Sequence, residues 1–195
     1  MRIIAGVARG RTLGAVAGAT RPTSDRAREG LFSSLTSEFG SFEGLHILDL
    51  FGGSGAIALE SLSRGATLVH VVEKDDEAQR TIETNYELVK KSNPSGKMQL
   101  FGMSAERFLK DLPKTKYHLV YIDPPYDLSD IDVIETLIQI RDGGYLDSQG
   151  IVAVERNSRT KEISWPEGFT ALREKNYGQA TIFYAVPTLI DGENG

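Results

Sequence analysis

The stretch HILDLFGGSGAIALESLS, residues 46–63, decides the fold of this chain. It opens on a short apolar run, His46-Ile47-Leu48-Asp49-Leu50, suited to a strand buried on both faces. It then passes through Gly52, Gly53 and Gly55 into residues with helical spacing. Glycines at such a turn let a ligand approach the backbone, and the helix that follows presents free N–H groups at its start. A nucleotide-like cofactor fits this loop. Twenty-four positions after Asp49, Glu73 ends the next apolar run, where a carboxylate can accept hydrogen bonds from both hydroxyls of a ribose. The residues Gly53-Ser54-Gly55-Ala56-Ile57-Ala58 also fit the G-x-G-x-x-A fingerprint of dinucleotide sites, so the loop alone leaves NAD open.

Working outward, strands are expected at 45–51, 67–73, 97–101, 117–122 and 150–155, with helices at about 55–64, 75–91, 104–111 and 130–140 between them. That alternation is the signature of βαβ units and a parallel sheet. Phe169 to Arg173 and Thr181 to Val186, joined through Asn176-Tyr177-Gly178, read as a closing antiparallel hairpin. Ahead of the first strand, Arg2 to Val16 reads as a hairpin around Ala8, Arg9 and Gly10. A turn at Thr20 to Ser24 leads from it into a helix capped by Thr23 or Ser24, with Ala27, Leu31 and Leu35 on one face. The expected fold is therefore α/β: a Rossmann-like, doubly wound, mostly parallel sheet with a small N-terminal extension. Residues 1–40 form the extension, 41–187 the main domain and 188–195 a tail. The ligand belongs at the carboxyl ends of the central strands.

With 195 residues, 40% of them apolar and 25% charged, the chain suits one soluble domain. No apolar run approaches the roughly 20 residues of a membrane span, and no secretory signal is visible, so a cytoplasmic address is expected. The absence of cysteine excludes disulfides, thiolate metal sites and cysteine nucleophiles. The net charge is −5, but residues 1–30 hold six arginines against Asp25 and Glu29, or +4, which leaves −9 on the other 165. A basic arm on an acidic body is a weak pointer to a polyanionic partner.

The sharpest chemical signal is Asp123-Pro124-Pro125-Tyr126, directly after an apolar strand. Two prolines fix an extended turn and offer no N–H, leaving a surface of acceptors. Such a surface suits methylation of an exocyclic amine on a base ring, a poor nucleophile because its lone pair is delocalised. The Asp123 carboxylate and the Pro124 carbonyl can accept its N–H bonds and favour the positive charge that develops during attack. Tyr126 can stack on a base turned out of its helix. A sulfonium methyl donor is already activated, so alignment is most of what remains. No metal is expected.

These residues together resemble the S-adenosylmethionine-dependent amino-methyltransferases. More narrowly, Arg2-Ile3-Ile4-Ala5-Gly6, Arg21-Pro22-Thr23, Arg26 to Phe32, Asp49 to Ala66, the Asp-Pro-Pro-Tyr turn and Tyr177-Gly178 resemble the bacterial RsmD family. That family methylates the 2-amino group of one guanine in 16S ribosomal RNA. The resemblance implies a methyltransferase sheet with S-adenosylmethionine as cofactor. It implies that Asp49, Phe51, Gly52, Gly53 and Gly55 hold the methionine and ribose part, and that Glu73 takes the ribose hydroxyls. Ser104 stands where such enzymes often carry an adenine-binding Asp, and backbone groups near Ser104 and Ala105 are expected to serve instead. Asp123, Pro124 and Tyr126 are implied as the catalytic set. Arg2, Arg9, Arg11, Arg21, Thr23, Arg26 and Arg28 are expected near the RNA, either naked or within a partly assembled small ribosomal subunit. A monomer is expected.

Two rival readings stand beside this one. An adenine amino-methyltransferase acting on DNA or another RNA shares the chemistry, although little chain is left for a sequence-reading domain. An NAD-binding protein of the same fold class gives Asp-Pro-Pro-Tyr no role. His46, His70 and His118 lack metal-ligand spacing and are assigned no chemistry.

Overall fold

The computed structural model describes residues 1–16, 25–111, 115–125, 128–160 and 162–188. The expected N-terminal turn and cap at 20–24 and all but residue 188 of the expected 188–195 tail lie outside them, as do Arg21, Thr23 and Tyr126. Among the described residues no helix is long and apolar enough to cross a membrane.

Helix α1 (Asp25–Phe39) precedes β1 (His46–Asp49), α2 (Ala56–Ser63), β2 (Leu68–Glu73), α3 (Asp76–Lys90), β3 (Lys97–Gly102) and α4 (Ala105–Asp111). Then come β4 (Tyr117–Ile122), α5 (Asp130–Gly143), β5 (Leu146–Asn157), β6 (Phe169–Tyr177) and β7 (Ala180–Pro187). The strands form one sheet in the order β3-β2-β1-β4-β5-β7-β6. Strands β1 to β5 run parallel, and β7 is antiparallel to both of its neighbours. The closing hairpin thus does not simply extend the edge: its second strand inserts between β5 and its first.

Successive strand residues point to opposite faces, and both faces are apolar. Ile47, Val69, Leu119, Tyr121 and Ala153 face a core shared with Leu31, Phe32 and Leu35 of α1, Leu59 and Leu62 of α2, and Ile82 and Val89 of α3. Leu48, Val72, Val120, Ile122 and Val154 face a second core with Phe108 and Leu109 of α4 and Val133, Leu137 and Ile140 of α5. The alternation of helices between faces puts the reversal of strand order between β1 and β4, where a crevice opens at the carboxyl ends.

The arm is more firmly attached than its charge implies. Residues 1–16 fold back around Ala8 to Gly10 as expected, through one antiparallel bridge, Arg2 to Thr12, and backbone hydrogen bonds from Ile3 to Arg11, Gly10 to Ile3 and Leu13 to Met1. Ile3, Ala8 and Leu13 are buried in the core under α1, α2 and α3. The fully buried Glu60 of α2 accepts the N–H groups of Ile4 (2.7 Å) and Ala5 (3.0 Å) and is paired with Arg64 at 2.8 Å. Ser63 donates to the Ala5 carbonyl and accepts from the Ala8 N–H. Buried Asn85 of α3 exchanges hydrogen bonds with Gly14 and donates to the Ser54 carbonyl, tying arm, helix and glycine loop together. Residues 1–16 and α1 therefore share the body's core rather than building their own.

Candidate active site

At the end of β1 the chain turns sharply. Gly52 donates to the Val72 carbonyl at 2.9 Å, and Gly55 donates to Gly52 at 2.7 Å to start α2. Gly53 (φ +53) and Gly55 (φ +78) adopt the left-handed conformation that side-chain-bearing residues rarely take. A Cβ on Gly53 would meet open space, whereas one on Gly52 would lie 2.4 Å from Val71. Gly53 is therefore the glycine that faces the ligand space, and Gly52 and Gly55 shape the turn behind it.

Glu73, at the end of β2, is half-buried. Its Oε2 accepts the Gly53 N–H at 2.8 Å and its Oε1 accepts the Asp75 N–H at 2.9 Å. Each oxygen retains acceptor capacity for a hydroxyl. Asp49, at the end of β1, is 1% exposed, and its Oδ1 has no hydrogen-bond partner. Burial pushes its carboxyl up from 3.8 to about 7, against the pull of the Phe51 and Ala58 backbone N–H groups and with a push from the Glu73 charge.

Above these residues lies a cleft of about 860 Å³, running along the carboxyl edge of the sheet from Lys74 and Ser104, past Asp123 and Pro124, to Glu155, Tyr177 and Gln179. Of the expected site residues, Phe51, Gly53, Glu73, Ser104, Ala105, Asp123 and Pro124 line it. Asp49, Gly52 and Gly55 lie beneath the lining. Ser104 also helps to start α4, where its hydroxyl accepts the Arg107 N–H at 3.3 Å. Among the described lining residues, six carboxylates (Glu73, Glu106, Asp123, Asp132, Glu135, Glu155) stand against one cation, Lys74. Such a field attracts a cationic ligand and repels phosphate.

The Asp123 turn is braced from the next strand. Arg156 of β5 donates to the Leu128 carbonyl at 3.1 Å and the Asp130 carboxylate at 2.8 Å, and the Leu128 N–H returns to the Pro125 carbonyl at 2.9 Å. Helix α5 starts there with a capping box between Ser129 and Asp132.

Sequence reading missed Glu155 and Tyr177 as cleft residues. Glu155 is 6% exposed, and Tyr121 Oη donates to its Oε2 at 2.5 Å. Its signal was present: it ends the run Ile151-Val152-Ala153-Val154 as Asp49 and Glu73 end theirs. Tyr177 reaches the cleft because Gly30 of α1 leaves room for its ring; a Cβ at Gly30 would lie 2.1 Å from Tyr177 Cε1.

Among the arginines expected near RNA, Arg2, Arg9 and Arg26 are exposed. Arg11 is half-buried and donates to Ser92 Oγ at 2.6 Å. Arg28 is a correction: it is fully buried and donates to the Arg2 carbonyl at 2.6 Å and to Asp25 at 2.8 Å, so it presents nothing to a polyanion. The histidines sit in structural roles: His118 Nδ1 accepts the His46 N–H at 3.0 Å, and His70 Nδ1 shares a 2.7 Å hydrogen bond with Tyr117 Oη.

Residues 1–186 match the family described as Conserved hypothetical protein 95. The chain is 32% identical over 180 residues to Ribosomal RNA small subunit methyltransferase D of Escherichia coli (strain K12), covering 92% of this chain and 86% of that protein. It belongs to the RsmD family. Identity to the protein of the same name from Haemophilus influenzae is 32% over 181 residues, covering 91% of this chain and 89% of that one. The solved structure of yhhF from Escherichia coli superposes with a TM-score of 0.80 at 31% identity, covering 96% of this chain and 97% of that one. HI0767 from Haemophilus influenzae follows at 0.74 and 28%, covering 95% and 97%. The sheet is thus the Rossmann-like sheet of methyltransferases, and the chain is a methyltransferase.

Proposed function

We propose that this chain transfers a methyl group from S-adenosylmethionine to the exocyclic 2-amino group of a guanine in 16S ribosomal RNA. The observation that carries the reading is the acidic cleft with Asp123 and Pro124 in its lining. A sulfonium cation with an ammonium group suits six carboxylates, whereas the pyrophosphate of NAD would be repelled by them. The residues present fit the cofactor: Glu73 offers two acceptors to a ribose, Asp49 has a buried oxygen without a donor, and Gly53 leaves the backbone open. Ser104 and Ala105 bound the same end of the cleft, where the adenine would lie. S-adenosylmethionine supplies an electrophilic methyl group when bound.

The chain's own residues then handle the acceptor. The Asp123 carboxylate and Pro124 carbonyl accept the two N–H bonds of the amine, orient its lone pair and stabilise the positive charge that grows on nitrogen. The proton leaves after transfer, so Asp123 acts as acceptor and orienter rather than as a strong base. Tyr126 supplies a stacking face for the base. The exposed Arg2, Arg9 and Arg26, with Arg11, Arg21 and Thr23, meet the RNA outside the cleft, on the 1–40 segment, where arginines outnumber acidic residues. A monomer in the cytoplasm, acting on 16S RNA that is naked or within a partly assembled small subunit, completes the proposal.

The test is mass spectrometry of 16S RNA from a strain deleted for this gene, with and without restoration by the parent or by Asp123→Ala. The parent should restore a 2-methylguanine, and Asp123→Ala should not, while the purified variant still binds S-adenosylmethionine in calorimetry. A methyl group on adenine, or none in either strain, refutes the reading.

A further inference from the structure

Strands β4 and β5 run parallel with Ile122 opposite Val154. The next residue on each is acidic, Asp123 and Glu155, so two carboxylates emerge side by side from strands about 4.8 Å apart, and both line the cleft. Glu155 is the more deeply set, 6% exposed against a half-buried Asp123. Its Oε2 is taken by the hydroxyl of Tyr121, itself fully buried two residues before Asp123. Burial first, and then the neighbouring Glu155 and Asp123, hold that phenol well above its ordinary value, so it remains a proton donor. One edge of the Glu155 carboxylate is thereby fixed.

The edge of guanine beside its 2-amino group carries a ring N1–H, so the base offers two adjacent donors. Adenine beside its amine offers N1 as an acceptor, which a carboxylate repels. We propose that Glu155 is the specificity-determining residue of this methyltransferase, accepting the N1–H of the target guanine while Asp123 accepts its 2-amino group, with Tyr121 as the positioning residue. This rests on the reading of the chain as a guanine amino-methyltransferase. Pairing two donors with two acceptors accounts for a second acidic residue on β5 set beside Asp123 rather than beside the cofactor loop.

The test uses 16S RNA ligated to carry guanine or 2-aminopurine at the position the parent protein methylates, offered naked and reconstituted with small-subunit proteins. 2-Aminopurine keeps the reacting amine but has a lone pair at N1. The parent should prefer guanine by about 10- to 100-fold in kcat/KM, the scale of a hydrogen bond to a charged group. In Glu155→Gln the Tyr121 hydroxyl keeps the amide oxygen and turns the NH2 toward the base, so the preference should fall to within a few-fold or invert. Tyr121→Phe should retain the sign of the preference at reduced size. A parent that methylates guanine at its 2-amino group yet treats 2-aminopurine within threefold overturns this proposal and leaves the proposed function standing. So does a folded Glu155→Gln, judged by circular dichroism and S-adenosylmethionine affinity, with an unchanged ratio. Should Glu155→Gln not fold, the parent's ratio decides alone. If the parent places no methyl group on the guanine amine, the proposed function itself fails.

Discussion

Replacing Asp49 by Asn tests whether the buried carboxylate under the cofactor loop is held for a cationic ligand. Burial raises its carboxyl from 3.8 to about 7, so between those pH values the folded chain holds a proton that the unfolded chain has lost. Stability from this group is fully present below pH 3.8 and declines as pH rises through 7. At 1.36 kcal/mol per pH unit the loss reaches about 4 kcal/mol, a large share of a domain's typical stability. Asn cannot ionise, so the difference in unfolding free energy between Asp49→Asn and the parent should move toward the variant by about 1.4 kcal/mol per pH unit from pH 5 to 7, then level off. Urea unfolding at half-unit steps from about pH 5 to 8.5 measures that difference, and other titrating groups cancel in it. Saturating S-adenosylmethionine should stabilise the ionised form and flatten the parent's profile more than the variant's. Parallel profiles for the two proteins without cofactor would refute the argument that burial dominates at Asp49. Equal flattening by cofactor would remove Asp49 from its site.

Glu73→Ala should weaken S-adenosylmethionine binding by about 1–3 kcal/mol, because it removes a charged acceptor and also frees the Gly53 N–H; unchanged affinity by calorimetry would take Glu73 out of the site. Gly30→Ala drives a methyl group into the Tyr177 ring, and should cost about 1–3 kcal/mol in denaturant unfolding and lower turnover through the displaced cleft wall; an unaltered midpoint would show that the ring yields freely. Arg2→Ala with Arg9→Ala should leave the fold and cofactor affinity intact while the slope of log RNA affinity against log salt shrinks by up to about 0.7–0.9 per lost phosphate contact. A constant slope would move the RNA surface elsewhere.

The central strands were legible because each is a short apolar run buried on two faces, bounded by turn residues. Glu73 was legible because a strand end at that spacing has a chemical reason to be acidic. Strand β5 was read as 150–155 but spans Leu146–Asn157, because Leu146 pairs with Tyr117 across a register shift that no local pattern announces. The insertion of β7 between β5 and β6 was hidden for a related reason: alternation tells which face a residue takes and not which strand lies beside it. Arg28 was misread because a sequence shows a charge without its partner, and here that partner is a carbonyl at the other end of the arm. The arm itself was read by its arginines, while Ile3, Ala8 and Leu13, too sparse to form a periodic pattern, determine where it lies.

That attachment sets an order of events during synthesis. Ile4 finds its acceptor 56 residues later in Glu60, and Arg11 finds Ser92 after 81. At about 5–20 residues per second, the arm waits several seconds between its own synthesis and that of Ser92. The arm therefore stays unseated until α2, α3 and Ser92 follow it, and until then Ile3 and Leu13 remain open to chaperones. A pause in translation between the emergence of Arg11 and that of Ser92 lengthens that interval.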